Sequence, residues 1–165
     1  MATYRWTEES TVILEAKSSV HPIHGETHAV RGEVSGEVQG DQIMLDPMPT
    51  GYIEVDIDAL KSGNKLEDFE MRRRVEAKKY PTIRFDLRSA TGGPEKYRLK
   101  CALTFHGVTQ EFEEDATARI SNGALQVEGQ HTFNIEEFGV KAPKILNLQV
   151  YPEITIIAKM VGKPA

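Results

Sequence analysis

Apolar and polar residues alternate along most of this chain, and that feature restricts it to folds built from half-buried strands. In VRGEVSGEV, Val30, Gly32, Val34, Gly36 and Val38 alternate with Arg31, Glu33, Ser35 and Glu37. YIEVDID sets Ile53, Val55 and Ile57 against Glu54, Asp56 and Asp58, and TIRFDLR sets Ile83, Phe85 and Leu87 against Arg84, Asp86 and Arg88. YRLKCALTF puts Tyr97, Leu99, Cys101, Leu103 and Phe105 on one side. LQVEGQHTFNI does the same with Leu125, Val127, Gly129, His131, Phe133 and Ile135. Successive side chains of a strand point to opposite faces, so each segment is a strand with one oily and one wet face. Three weaker segments complete the set. Segment 11–17 turns Val12, Leu14 and Ala16 inward, 109–120 turns Phe112, Ala116 and Ala118, and 153–161 turns Ile154, Ile156, Ala158 and Met160.

The punctuation between strands is short, as in TGGPEK, HGVT and SNG, which suits antiparallel neighbours. A long antiparallel sheet hides its edges best by closing. The pattern therefore predicts an all-β fold, an eight-stranded antiparallel lipocalin-like barrel. One segment, 60–81, has no alternation. Leu66, Phe69, Met71 and Val75 supply an apolar stripe at roughly helical spacing, and Pro81 ends it. This predicts a helical insert between strands 3 and 4, with a turn or two near 65–70 and a firmer helix near 71–78, lying across a barrel mouth. With 165 residues and no repeat or linker, the chain reads as one domain, 1–165.

Several function classes find no support. A net charge of −5 argues against nucleic-acid binding, which needs a positive surface. No nucleophile elbow, phosphate loop or dinucleotide fingerprint is present, so no catalytic residues and no cofactor are expected. Cys101, the single cysteine, sits mid-strand on an apolar face, where a thiol is usually inert. The opening MATYRWTEES has no basic segment followed by an apolar run, which predicts a cytoplasmic protein, or a periplasmic one if a leader has been removed.

The polar candidates are few. SSVHPIHGETH holds His21, His24 and His28, at a spacing that would share one helix face. Pro22 and Gly25 oppose such a helix, so a solvated or hydrogen-bonded turn is expected rather than a metal site. His131 points inward, either as a core histidine bonded to a neighbour or as a polar group meeting a ligand inside an apolar pocket. Glu114 breaks the apolar side of its strand; it could pair with a buried base, but a bulge is the plainer reading. From Lys61 to Lys79 seven basic residues face four acidic ones. Arg72, Arg73 and Arg74 there are either a solvated helix face or a basic collar for an anionic head group or membrane surface.

Residues 10–161 resemble the YceI family of lipid-binding, lipocalin-like proteins. HGETHAVRGEVSGEV is similar to that family's first connection and second strand, with His24 eight residues before Gly32. VDIDALKSGNKLEDFEMRRRVEAKKYPTIRF is similar to its strand, helical insert and re-entering strand. LTFHGVTQ matches its short turn, and FNIEEFGVKAPKILNLQVYPEITI its closing segment. The resemblance implies an elongated barrel around an apolar channel that holds polyisoprenoid chains, fatty acids or their amides, with His24 at a turn or pocket rim.

These readings converge on non-catalytic binding of a long-chain isoprenoid or fatty-acyl lipid, for carriage or sequestration. Strand alternation assigns the pocket to Val12, Leu14, Ile53, Val55, Ile83, Phe85, Leu99, Leu103, Val127, His131, Phe133, Ile154 and Ile156. Small inward residues (Gly32, Gly36, Ala116, Ala118, Gly129, Ala158) would leave room for the guest. Two other readings stay open: a barrel enzyme or isomerase using His131 and Glu114, and a packed barrel serving as a protein-interaction module. A homodimer and a transient contact with a membrane surface stay open as further associations.

Overall fold

One antiparallel sheet curls round and closes on itself. Two long strands at its start are each interrupted once. The first comprises β1 (Ala2–Trp6) and β2 (Thr11–Ser18), the second β3 (Ile23–Thr27) and β4 (Val30–Gly36). A small hairpin of β5 (Val38–Gln39) and β6 (Gln42–Ile43) precedes β7 (Thr50–Asp56). The helix α1 (Lys65–Arg74) leads to β8 (Thr82–Gly92), β9 (Glu95–Phe105), β10 (Val108–Ser121) and β11 (Ala124–Asn134). A short β12 (Lys144–Ile145) and the long β13 (Leu148–Pro164) end the chain. This computed structural model describes residues 1–142, 144–145 and 148–165. Pro143, Leu146 and Asn147, part of the closing segment that carries the family resemblance, lie outside the described residues.

The closed ring runs β1-β4-β7-β8-β9-β10-β11-β13, and β13 returns to β1 with Trp6 opposite Gly162. The other half of β13 pairs with β2, with Ile156 opposite Leu14, and β2 pairs with β3. Each interrupted pair thus serves as one barrel strand, and the eight-stranded antiparallel barrel read from the sequence is what forms. Ser10, fully buried, holds the first interruption: its Oγ donates to the Val161 carbonyl at 3.2 Å and accepts from Val161 N at 2.9 Å. The ring of His28 ties in the second, with Nδ1 2.9 Å from the Ser10 carbonyl.

β1 and β3 are strands that the sequence reading passed over. Tyr4 and Trp6 of β1, and Ile23, Gly25 and Thr27 of β3, are buried at alternate positions, so both segments obey the same period as the rest. The β10–β11 turn uses Asn122 and Gly123, both at positive φ, the geometry that matches the twist of two paired strands.

The helix differs from expectation. α1 begins at Lys65, where the Asn64 side chain accepts from the backbone N–H groups of Leu66 and Glu67, and it ends at Arg74 rather than continuing to 78. Leu66 and Phe69 are exposed, so the apolar stripe reduces to Met71, with Val75 just beyond the helix, both packed on the barrel. The segment before α1 is stitched to the wall by paired backbone hydrogen bonds between Glu26 and Lys61, at 3.0 and 3.2 Å.

Candidate functional site

The inward apolar faces do not fill the barrel. Among the described residues, space remains along the lumen in an upper, a middle and a lower compartment. The upper one, about 120 Å³, is lined by Trp6, Ile43, Ile53, Phe85, Leu99 and Val127 among others, and no polar surface faces it. The middle one, about 100 Å³, shares Ile53, Phe85, Leu99, Cys101 and Val127 with the upper and adds Phe112, Glu114, His131 and Ile156. The lower one, about 70 Å³, lies among Leu14, Ile83, Phe133 and Ile154 and ends on Ser62, Asp68 and Arg72. Each is large enough for water, yet the upper one gives water no partner, which is the condition under which a cavity stays dry or takes an apolar guest.

The two ends are closed differently. Over the upper compartment the β5–β6 hairpin folds in as a cap. Ile120 N donates to the Asp41 carbonyl at 2.9 Å, and the Tyr97 hydroxyl donates to the Ile43 carbonyl at 3.2 Å. Burial raises the pKa of the Tyr97 hydroxyl and keeps it a donor. The lower end is closed by α1 and the chain before it, where Asp68 accepts from Ser62 N and Oγ at 3.1 and 2.7 Å.

Of the residues assigned to the pocket, Leu14, Ile53, Ile83, Phe85, Leu99, Val127, His131, Phe133, Ile154 and Ile156 border a compartment. Val12, Val55 and Leu103 do not. They face inward as expected but are buried to 4%, 1% and 1% exposure in the packed core, and none borders a compartment. Two of the small inward residues also leave no room. A Cβ on Gly32 would lie 2.1 Å from the Tyr52 carbonyl oxygen, and one on Gly36 3.1 Å from Pro49 Cβ. The space beside them is taken by Trp6 and by the cap.

The basic run separates on the helix. Arg72 borders the lower compartment, with its Nε 3.8 Å from Asp58, whereas Arg73 pairs with Glu70 at 2.9 Å in solvent and Arg74 is exposed. Three consecutive helical residues are turned about 100° apart, so they cannot form one collar. His24 stands on the outer face of β3 between Glu15 and Glu26, at 3.5 and 3.8 Å, while its residue borders the lower compartment. The other two rings go elsewhere: His21 to the Pro22 carbonyl at 2.9 Å and toward Glu67, and His28 to Ser10.

Glu114 forms no bulge. It lies in regular register opposite Leu99 and meets His131, whose Nδ1 is 3.0 Å from Glu114 Oε1. Phe112 stacks on the His131 ring with centroids 3.7 Å apart. Cys101 lines both the upper and the middle compartment, and burial, with the charge of Asp86, pushes its thiol up to about 11. The lining contributed by Ile43, Leu45 and Pro49 was missed in the sequence, although an apolar Ile43 to Leu45 between turn residues was a signal that this loop is covered.

The YceI-like domain family matches residues 6–161 of the chain. This protein belongs to the YceI-like family. No curated protein matches it. Among solved structures the YceI-like barrel is similar to a polyisoprenoid binding domain from Saccharophagus degradans implicated in plant cell wall breakdown. There the TM-score is 0.79 at 12% identity, over 100% of this chain and 99% of that one. It is also similar to BcnA of Burkholderia cenocepacia, with a TM-score of 0.77 at 18% identity over 93% and 96% of the two chains. A YceI protein of Campylobacter jejuni aligns with a TM-score of 0.56 at 15% identity, over 80% and 84%. At these identities the three likenesses establish a common YceI-like fold.

Proposed function

We propose that this YceI-like barrel binds one long apolar chain, a polyisoprenoid or fatty-acyl lipid, without chemical turnover, for carriage or sequestration. The observation that carries the reading is the space in the upper and middle lumen, two neighbouring compartments that share Ile53, Phe85, Leu99 and Val127 in their lining and that the protein's own side chains leave empty. The likeness to the polyisoprenoid binding domain from Saccharophagus degradans supports it. Each buried CH₂ contributes roughly 0.8 kcal/mol, so ten contribute about 8 kcal/mol before the cost of association. Such affinity needs no polar contact, which suits a compartment whose lining offers none.

Native mass spectrometry of protein purified from cells tests the proposal. A co-purifying hydrophobic mass, or saturable binding of a fluorescent fatty-acyl probe after delipidation, is expected. Protein that is empty and indifferent to the probe would return the barrel to the interaction-module reading.

The enzyme reading keeps one observation, the Glu114–His131 hydrogen bond at 3.0 Å, an arrangement suited to a general base. Loss of turnover of some substrate in His131→Ala, with probe binding intact, is the result that would favour it.

A further inference from the structure

A seam opens in the barrel wall between β10 and β11. β10 stays paired with β9 as far as Val108 opposite Phe105, and β11 stays paired with β13 as far as Asn134 opposite Glu153. β10 and β11, however, are paired with each other only from their turn to Ala116 opposite Gly129. Beyond that point side chains span the gap. His131 meets Glu114 at 3.0 Å, its ring stacks on Phe112, and Gln110 Nε2 donates to the Glu137 carbonyl at 2.8 Å. The middle compartment ends here: residues 114–116 of one edge and 129–131 of the other both border it. Glu114 is 40% exposed and His131 17%, so the pair stands where an apolar lumen meets water.

We infer that this seam is a side port that holds the polar end of the bound chain, with the tail in the upper compartment, and that it selects an uncharged hydrogen-bond donor, an alcohol or primary amide, over a carboxylate. The inference rests on the binding reading above. An Nδ1–H directed at Glu114 Oε1 leaves imidazole Nε2 and carboxylate Oε2 as acceptors, and among the described residues neither has a protein partner. Two acceptors call for a donor. No lysine or arginine borders the middle compartment among the described residues. Arg98, on the neighbouring β9, is held on the outer face by Asp115 at 3.2 Å and Glu113 at 3.9 Å. An anionic end would therefore face the Glu114 carboxylate with no lysine or arginine among the described residues lining the compartment to offset it.

The test is displacement of a fluorescent fatty-acyl probe from the delipidated full chain by lauryl alcohol and by lauric acid, in mildly alkaline buffer. The alcohol is expected to bind roughly tenfold tighter. Glu114→Gln, nearly isosteric, should bring the acid to within about threefold of the alcohol by improving the acid. The wild-type ratio is read whether or not the variant folds. If the acid binds wild type as tightly as the alcohol, or if folded Glu114→Gln leaves the ratio unmoved, the port is refuted while lipid binding stands. If neither compound nor the probe binds, lipid binding and the port fall together.

Discussion

The indole Nε1 of Trp6 donates a 2.8 Å hydrogen bond to the Tyr52 carbonyl, reaching across Gly32 on the strand that lies between them. Gly32 has φ of +128°, and a Cβ there would lie 2.1 Å from the Tyr52 oxygen and 3.0 Å from Trp6 Cδ1. Gly32→Ala should therefore destabilise the barrel by about 3 kcal/mol or more, read from urea unfolding. Gly40→Ala is the comparison at an uncrowded position: φ is +64°, in the ordinary left-handed well, nothing lies within 4 Å, and the loss should stay near 1 kcal/mol. Equal losses would mean that backbone conformation, and not the Trp6–Tyr52 approach, sets the cost at Gly32.

Trp6 is the only tryptophan and borders the upper compartment, so its emission reports what enters there. Binding of a fatty-acyl ligand should change that emission saturably. Phe85, which borders two compartments and meets Phe112 edge-on at 6.0 Å, carries the strongest test. Phe85→Asp should weaken binding at least about tenfold and also cost stability, because a carboxylate replaces buried apolar surface. Leu99→Phe, which fills space instead of removing it, should weaken binding with a smaller effect on the melting temperature. Unchanged affinity in both variants would place the ligand elsewhere.

Cys101 should be nearly inert in the folded protein. Its thiol is pushed up from an ordinary value near 9 to about 11, first by burial and then by the charge of Asp86. At pH 8.5 alkylation should be on the order of a hundredfold slower folded than in denaturant, as fewer thiolates form. The folded state holds this proton more tightly than the unfolded chain. Its contribution to stability is complete below pH 9 and is lost as pH rises from about 9 to about 11. Cys101→Ala should flatten that part of the stability profile in wild-type comparison.

Outside the barrel, Arg31 bonds Glu54 at 2.7 Å and Asp56 at 2.8 Å, and Arg84 reaches Glu54 at 3.3 Å and Asp86 at 3.1 Å. The Arg31 hydrogen bond is the largest cause holding the Glu54 and Asp56 carboxyls below their usual range. Their contribution is present above the unfolded carboxylate pKa and disappears as pH falls through the lower folded value. Glu54→Gln should cost no more than about 1 kcal/mol at neutral pH, less in high salt, and should soften the acid limb of the stability curve. An acid limb identical to wild type would assign it to other carboxylates.

Period-two alternation is a local property of an extended backbone, and wherever the chain kept it, the sequence disclosed both the strand and its inward face. Phe85, Leu99, Val127 and Ile156 all point into the barrel as read, and even the odd Glu114 points where the period sends it. β1 and β3 went unread because each has five residues, too few for a short alternation to stand out beside His24, Gly25 and the interruptions. What alternation cannot carry is anything that depends on two distant segments at once. Leu99 and Leu103 share one strand face, yet the first borders free space and the second is packed, because the cap and the facing strands decide where volume is left over. The parting of β10 from β11, and with it the meeting of Glu114 and His131, depends on which neighbour each strand follows. Spacing along the chain reports the period of a strand; only the closed sheet fixes what stands across from it and how much room remains between.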